Sequence, residues 1–142
     1  MSIKQLSVFV ENKAGKLKEI TDLIASADID IRAMSIADTK EFGILRVIVN
    51  DIDRAKQVLE DDGLVLSVTD VLGIRLEDRP GGLASIMGTL SEIGVNIEYM
   101  YAFLTRTENA YLVVRVADAE TTGQALEAKG IMLLTDEDIR NM

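Results

Sequence analysis

The chain contains no cysteine, no histidine and no tryptophan, and its only proline is Pro80. Without cysteine there are no disulfides and no thiolate nucleophile. Without histidine there is no imidazole acid–base pair, and the usual ligands of zinc, copper and haem are missing. A cysteine-free chain fits a reducing compartment, so a cytoplasmic location is expected. No apolar run approaches the roughly 18 residues that cross a bilayer. The opening MSIKQLSVFVEN lacks the apolar core and small-residue cleavage site of a secretory leader, so no membrane partner is expected. Basic residues are also scarce: 15 Lys and Arg against 24 Asp and Glu leave a net charge of −9. Such a surface repels phosphate backbones, and nucleic acid is excluded as an expected partner. What remains is a chain of 142 residues, 48% hydrophobic and 27% charged. That suffices to bury a core in one ordinary domain or two very small ones.

The chain repeats itself. At an offset of 66, Leu6, Val8 and Val10 meet Leu72, Ile74 and Leu76; Gly15 meets Gly81, Leu17 meets Leu83, and Ile20 meets Ile86. Ile29-Asp30-Ile31 meets Val95-Asn96-Ile97, and Met34 meets Met100. Beyond about residue 40 the offset becomes 67, so that Leu45, Val47 and Val49 meet Leu112, Val114 and Val116, and Leu59 meets Leu126. One residue inserted in a turn accounts for the change. Two units are therefore expected, residues 1–69 and 70–142, and repeats of this kind define the architecture before any single motif does.

Each copy reads as the same string of elements. Leu72, Ile74 and Leu76 alternate with Gly73, Arg75 and Glu77, the period of a strand with one buried face. Leu83, Ile86, Met87, Leu90 and Ile93 follow at helical spacing, as do Leu17, Ile20, Ile24 and Ala27 in copy one. Gly94 is placed to stop the helix in the left-handed conformation, and Asp28 takes that place in copy one. A second strand over about 95–104, a hairpin at Arg106-Thr107-Glu108-Asn109 (Asp38 to Phe42 in copy one) and a third strand, AYLVVRVAD, come next. A second helix and a fourth strand, VLSV or IMLL, close the unit. The order β-α-β-β-α-β predicts an α+β chain: two tandem ferredoxin-like units, each an antiparallel sheet with both helices on one face.

Between the first strand and first helix lie the loops ENKAGK and EDRPGG. Pro80 suits the first position of a helix. The first helical amides have no intrahelical partners and carry the positive end of the dipole. Glycine at 81 and 82 would let a small carboxylate approach them without meeting a Cβ. Asn12 and Asp78 could cap the helices or accept from a ligand ammonium. Ordinary helix-start chemistry explains the same residues, and turn chemistry explains Asp30 and Asn96. Both readings stand on spacing alone.

DRPGGLASIMGTLSEIGVNIEYM resembles the ACT domain signature: a strand, an Asp/Asn-x-Pro-Gly-x-Leu loop, a helix, then Gly-Val-Asn-Ile opening the second strand. The resemblance covers nearly the whole chain as two units in tandem. In copy one Ala14 stands for the proline, Lys16 for the second glycine, and Ala-Asp-Ile-Asp-Ile for the Gly-Val-Asn-Ile pattern. ACT domains are regulatory modules, many of which bind amino acids between two units. The resemblance implies a free amino acid as effector, bound by the loop of one unit and second-strand residues near a neighbour. The implied residues are Asp78, Pro80, Gly81, Gly82, Leu83, Asn96 and Ile97 in copy two. Their copy-one equivalents are Asn12, Ala14, Gly15, Lys16, Leu17, Asp30 and Ile31. Backbone amides would take the carboxylate, and Asp78, Asn96 or Asp30 the ammonium. A homodimer is the implied assembly, and a biosynthetic enzyme is the kind of partner such a module regulates.

Other features point away from chemistry. Met87, Met100 and Met132 read as core packing. Tyr99, Tyr101 and Phe103 alternate like a base-stacking platform, but on an acidic chain they fit an interface or core face better. Glu60-Asp61-Asp62 and Asp136-Glu137-Asp138 lack calcium-loop spacing, and Thr135 to Asp138 fits a capping box. Arg46 and Arg115 mark the sheet face away from the helices, whose apolar residues suggest that it is covered; homodimerisation would cover it. With no nucleophile–base pair, no catalytic residue, cofactor or metal is expected, and the chain reads as a non-enzymatic sensor. A scaffolding subunit that binds only a protein partner is the alternative.

Overall fold

A computed structural model describes residues 2–38, 42–104 and 109–142 of the chain. The chain divides into two compact units, one of Lys4–Thr69 with Ile139–Met142 and one of Asp70–Asp138 with residues 2–3. The first, here the N-terminal unit, contains β1 (Ile3–Glu11), α1 (Lys16–Ser26), β2 (Ile31–Asp38), β3 (Phe42–Val49) and α2 (Ile52–Asp61). The chain then enters β4 (Leu66–Leu76), whose second half opens the C-terminal unit; α3 (Gly82–Ile93), β5 (Tyr99–Ala102), β6 (Ala110–Arg115), α4 (Ala119–Ala128) and the short α5 (Asp136–Asn141) follow. The repeat read from sequence is the repeat seen: two βαββαβ units with antiparallel sheets. The tips of both expected hairpins, including Arg106-Thr107-Glu108, lie outside the described residues.

In the N-terminal unit β3 sits between β1 and β2, with Leu6 opposite Val47, Val10 opposite Gly43, and Met34 opposite Val47. Leu6, Val8 and Val10 alternate onto the same side as Leu45, Val47 and Val49, where Ile20 and Ile24 of α1 and Ala55 and Leu59 of α2 complete the core. The C-terminal unit repeats this with Leu72, Ile74, Leu112 and Val114 against Ile86, Leu90 and Leu126. One apolar face per sheet, met by two amphipathic helices, is the two-layer solution such patterning dictates. The closing segments correspond too. The Phe9 amide donates to Val65 O at 3.0 Å, and the repeat-equivalent Arg75 amide donates to Met132 O at 3.0 Å. The fourth strand of the C-terminal unit is shorter than IMLL suggests, a single bridge from Leu133 to Ile74. The second strand of that unit is likewise only Tyr99–Ala102.

Helix ends follow local chemistry. Asp51 and Asp118, equivalent in the repeat, each accept from the amide three residues on, Arg54 at 3.1 Å and Thr121 at 3.0 Å. The Thr121 amide holds the Asp118 carboxyl below its ordinary value. We expect Asp51→Ala to cost about 1 kcal/mol, read as a lowered urea midpoint with an unchanged slope. Gly94 and Asp28 both adopt positive φ, 81° and 59°. Thr135 and Asp138 form the reciprocal pair expected of a capping box: the Asp138 amide donates to Thr135 Oγ1 and the Thr135 amide to Asp138 Oδ2.

The sheet faces turned from the helices are covered in part by the chain itself, where the sequence suggested a second copy. In the C-terminal unit Ile3 and Leu134 lie so close over Gly73 that a Cβ there would meet both at 3.1 Å. In the N-terminal unit Gln5, Ala33 and Ile48 are fully buried although they point away from the helices. Arg32 donates to the carbonyls of Ile139 and Arg140, at 3.0 and 3.2 Å, and so ties the last residues to this unit. The methionines are less uniform than their spacing implied. Met87 packs on the core, whereas Met100, on the edge strand β5, and Met132, in the irregular closing segment beside the Leu133 bridge, are 40% and 56% exposed.

Candidate functional site

The two loops after the first strands have one geometry. In the first, the Lys13 amide donates to Glu11 O (2.8 Å), Lys16 to Lys13 O (3.2 Å) and Glu19 to Gly15 O (3.1 Å). In the second, Arg79 donates to Glu77 O (2.9 Å), Gly82 to Arg79 O (2.9 Å) and Ser85 to Gly81 O (3.0 Å). Both helices begin from a glycine in the left-handed region, Gly15 at φ 86° and Gly81 at φ 88°.

Three details differ from the sequence reading. Neither Asn12 nor Asp78 caps a helix, since neither N-terminus has a side-chain cap and a left-handed glycine turns the chain instead. Pro80 lies in the turn before α3, not at its first position, because the helix starts at Gly82. Gly82 is required by the chain itself: an added Cβ would stand 2.0 Å from Glu77 O. Gly81 is the open one, with nothing within 4 Å of an added Cβ.

Around the first loop lies a cleft of about 370 Å³, lined by residues 10–17 with Ile36 of β2 and Gly43 of β3. It gathers Asn12, Ala14, Gly15, Lys16 and Leu17. Its floor is set by register: Gly43 pairs with both Val10 and Asp38, which brings the end of β2 beside the loop. Glu11 and Lys13 pair at 3.0 Å on its rim, and Lys13 holds the Glu11 carboxyl below its ordinary value. Val10, Ile36 and Gly43 were not among the expected site residues. Val10 borders the loop in sequence, whereas only the strand register places Ile36 and Gly43 here, and the sequence pattern does not fix that.

Asp30 and Ile31 do not join this cleft within the unit. Ile31 pairs with Val49 and Glu11 with Phe42, so the start of β2 lies seven β3 residues away, roughly 23 Å along the strand. Asp30 is held there by its backbone amide, which donates to Asn50 Oδ1 (2.8 Å), and by an ion pair with Arg32 (2.5 Å). Asn96 and Ile97 occupy the matching place, because β5 begins at Tyr99 opposite Arg115 while β4 ends at Leu76 opposite Ala110. Asp78, Pro80, Gly81 and Leu83 lie at the other end of that sheet, in and just after the α3 turn. Among the described residues no group of three or more acidic side chains is placed to hold a metal ion.

The sequence matches the ACT domain pair family over residues 1–142, and the chain belongs to that family. A protein of known structure from Bacteroides thetaiotaomicron is 41% identical, with a TM-score of 0.91 covering 100% of this chain and 98% of that one. The ligand-free regulatory subunit of aspartate kinase from Thermus thermophilus shares the fold at 15% identity and a TM-score of 0.65, covering 88% of this chain and 90% of that one. Aspartokinase III of E. coli, solved with lysine and aspartate, shares it at 16% identity and a TM-score of 0.54, over 91% of this chain and 31% of that one. No curated protein sequence matches the chain.

Proposed function

We propose that this protein is a non-catalytic regulatory module of the cytoplasm that binds a free amino acid at the loop of its N-terminal unit. The observation that carries this reading is the 370 Å³ cleft, which falls within the size range of small-ligand sites and collects five of the expected residues. Its contents suit an amino acid. The loop amides, with Lys16 once released from its pairing with Glu19, offer a carboxylate partner, and Leu17, Val10 and Ile36 offer an apolar wall.

The missing second-strand group is supplied by a second copy. β2 is an edge strand of its unit, and antiparallel pairing of two identical edges sets the start of one beside the end of the other. A homodimer of this kind would carry Asp30 and Ile31 of one copy to Ile36 of the other, where Asp30 could accept the ligand ammonium. A biosynthetic enzyme whose output is the bound amino acid is the partner that such sensing would serve.

The test is thermal unfolding against the twenty common amino acids in millimolar excess. A ligand at about 100 times its dissociation constant adds roughly 2.7 kcal/mol, a rise of about 5–10 °C at this length. One or a few amino acids are expected to give that rise, and Ile36→Lys on the cleft wall should abolish it without lowering the ligand-free midpoint. A flat panel sinks amino-acid sensing in favour of a subunit that binds only protein. A rise that survives Ile36→Lys moves the site elsewhere.

A further inference from the structure

A second cleft, of about 340 Å³, opens in the C-terminal unit on the opposite side of the equivalent loop. It is bounded by residues 75–77 and 79, by Gly82, Ser85 and Ile86 of α3, and by the closing segment 130–132. It does not touch the second-strand side that the effector reading uses.

We propose that this cleft is a binding site for a small organic anion, a carboxylate or phosphate head on an apolar stem. The repeat provides the comparison that carries the idea. Where copy two has Gly82 and Ser85, copy one has Lys16 and Glu19, whose side chains pair across the same place at 3.2 Å. In copy two a glycine and a serine stand at these positions, so no ion pair spans the place. Where copy one has Phe9 and Lys13, copy two has Arg75 and Arg79. The exchange therefore trades a self-neutralised ion pair for an opening with two guanidinium groups beside it.

The arginines are held in place. Arg75 donates to Asn109 Oδ1 at 2.7 Å and to Met132 Sδ at 3.4 Å, which fixes its plane at the cleft edge. Arg79 pairs with Glu77 and holds that carboxyl below its ordinary value. Two arginines against one glutamate leave the lining with one net positive charge on a chain whose total is −9. A planar fork matches the two oxygens of a carboxylate or phosphate, which a lysine does not. Leu76, Ile86, Ile131 and Met132 supply the apolar part of the wall, and that selects an anion with a hydrocarbon body over a bare ion.

The experiment is a titration of the full chain, followed by amide NMR shifts, with phenyl phosphate, with hexanoate and with inorganic phosphate. Saturable shifts are expected at Gly82, Ser85, Gly130 and Met132 at low-millimolar ligand for at least one of the two organic anions, and the tighter of the two identifies the head group. Gly15 and Leu17 should stay still, which separates this site from the effector cleft. Affinity should fall about ten-fold or more in Arg79→Gln, the effect of losing a charge-assisted hydrogen bond. It should fall comparably in Ser85→Glu, which restores the residue type copy one carries and so should fold. No saturable shift up to about 10 mM, which excludes low-millimolar affinity, overturns the proposal, as does unchanged affinity in both variants. Equal binding of inorganic phosphate overturns the apolar-stem part.

Discussion

Gly82→Ala is expected to destabilise the C-terminal unit by about 3 kcal/mol or more, the upper range for forcing an atom into filled space. The cause is a single contact: the new Cβ would lie 2.0 Å from Glu77 O, and that carbonyl already accepts from the Arg79 amide. Copy one tolerates a side chain at the same point, Lys16, whose amide donates to Lys13 O at 3.2 Å, against 2.9 Å from Gly82 to Arg79 O. It does so with Ala14 where copy two has Pro80, whose ring fixes φ and denies the turn that relaxation. Two neighbours make the result interpretable. Gly81→Ala meets no atom and loses only the freedom of a left-handed residue, about 1–2 kcal/mol. Gly88→Ala, inside α3 with open space at its Cβ, should stabilise by about 0.5–1 kcal/mol. Urea unfolding of the three variants orders them. A Gly82→Ala chain as stable as the parent would show that the carbonyl does not approach as described.

This glycine also shows where sequence reasoning reached its limit. The strands, both helices of each copy and their core positions follow from periods of 2 and 3.6 and from the repeat, because burial acts on every residue of an element at once. The glycine pair read both as room for a ligand and as ordinary helix-start chemistry. Spacing does not distinguish them, because both need a missing Cβ. Only the position of Glu77 O, set by a loop of six residues, decides between them for Gly82. Register was hidden in the same way. The residues at which β2 faces β3 place Ile36 and Gly43 at the first loop and send Asp30 to the far end of the sheet. The hydrophobic pattern cannot choose between registers that differ by two residues, since both keep the same face buried. The cover over Gly73 was equally unreadable, as it depends on where the chain's last dozen residues return.

Leu126→Ala should cost more than Leu59→Ala, although the two leucines are equivalent in the repeat and both are fully buried. Truncating a buried leucine costs about 2–5 kcal/mol, with the spread set by how far the surroundings collapse into the space. In α2 the load is shared: Ala55 and Leu59 are buried and Ile52 and Val58 pack beside them on the core. In α4 the other buried positions are Ala119, Thr122 and Gly123, so Leu126 is the one large apolar side chain that fastens the helix to the sheet. Glycine inside that helix weakens it further, by about 1 kcal/mol relative to alanine. Neighbours this small have no methyl groups to swing into the cavity, so Leu126→Ala belongs near the upper end of the range and Leu59→Ala nearer the lower. Hydrogen exchange separates the two effects by location. Protection should fall first in α4 for one variant and across α1 and α2 for the other. Equal losses from the two variants would mean that helix backbone contacts, rather than the leucine, hold α4 in place.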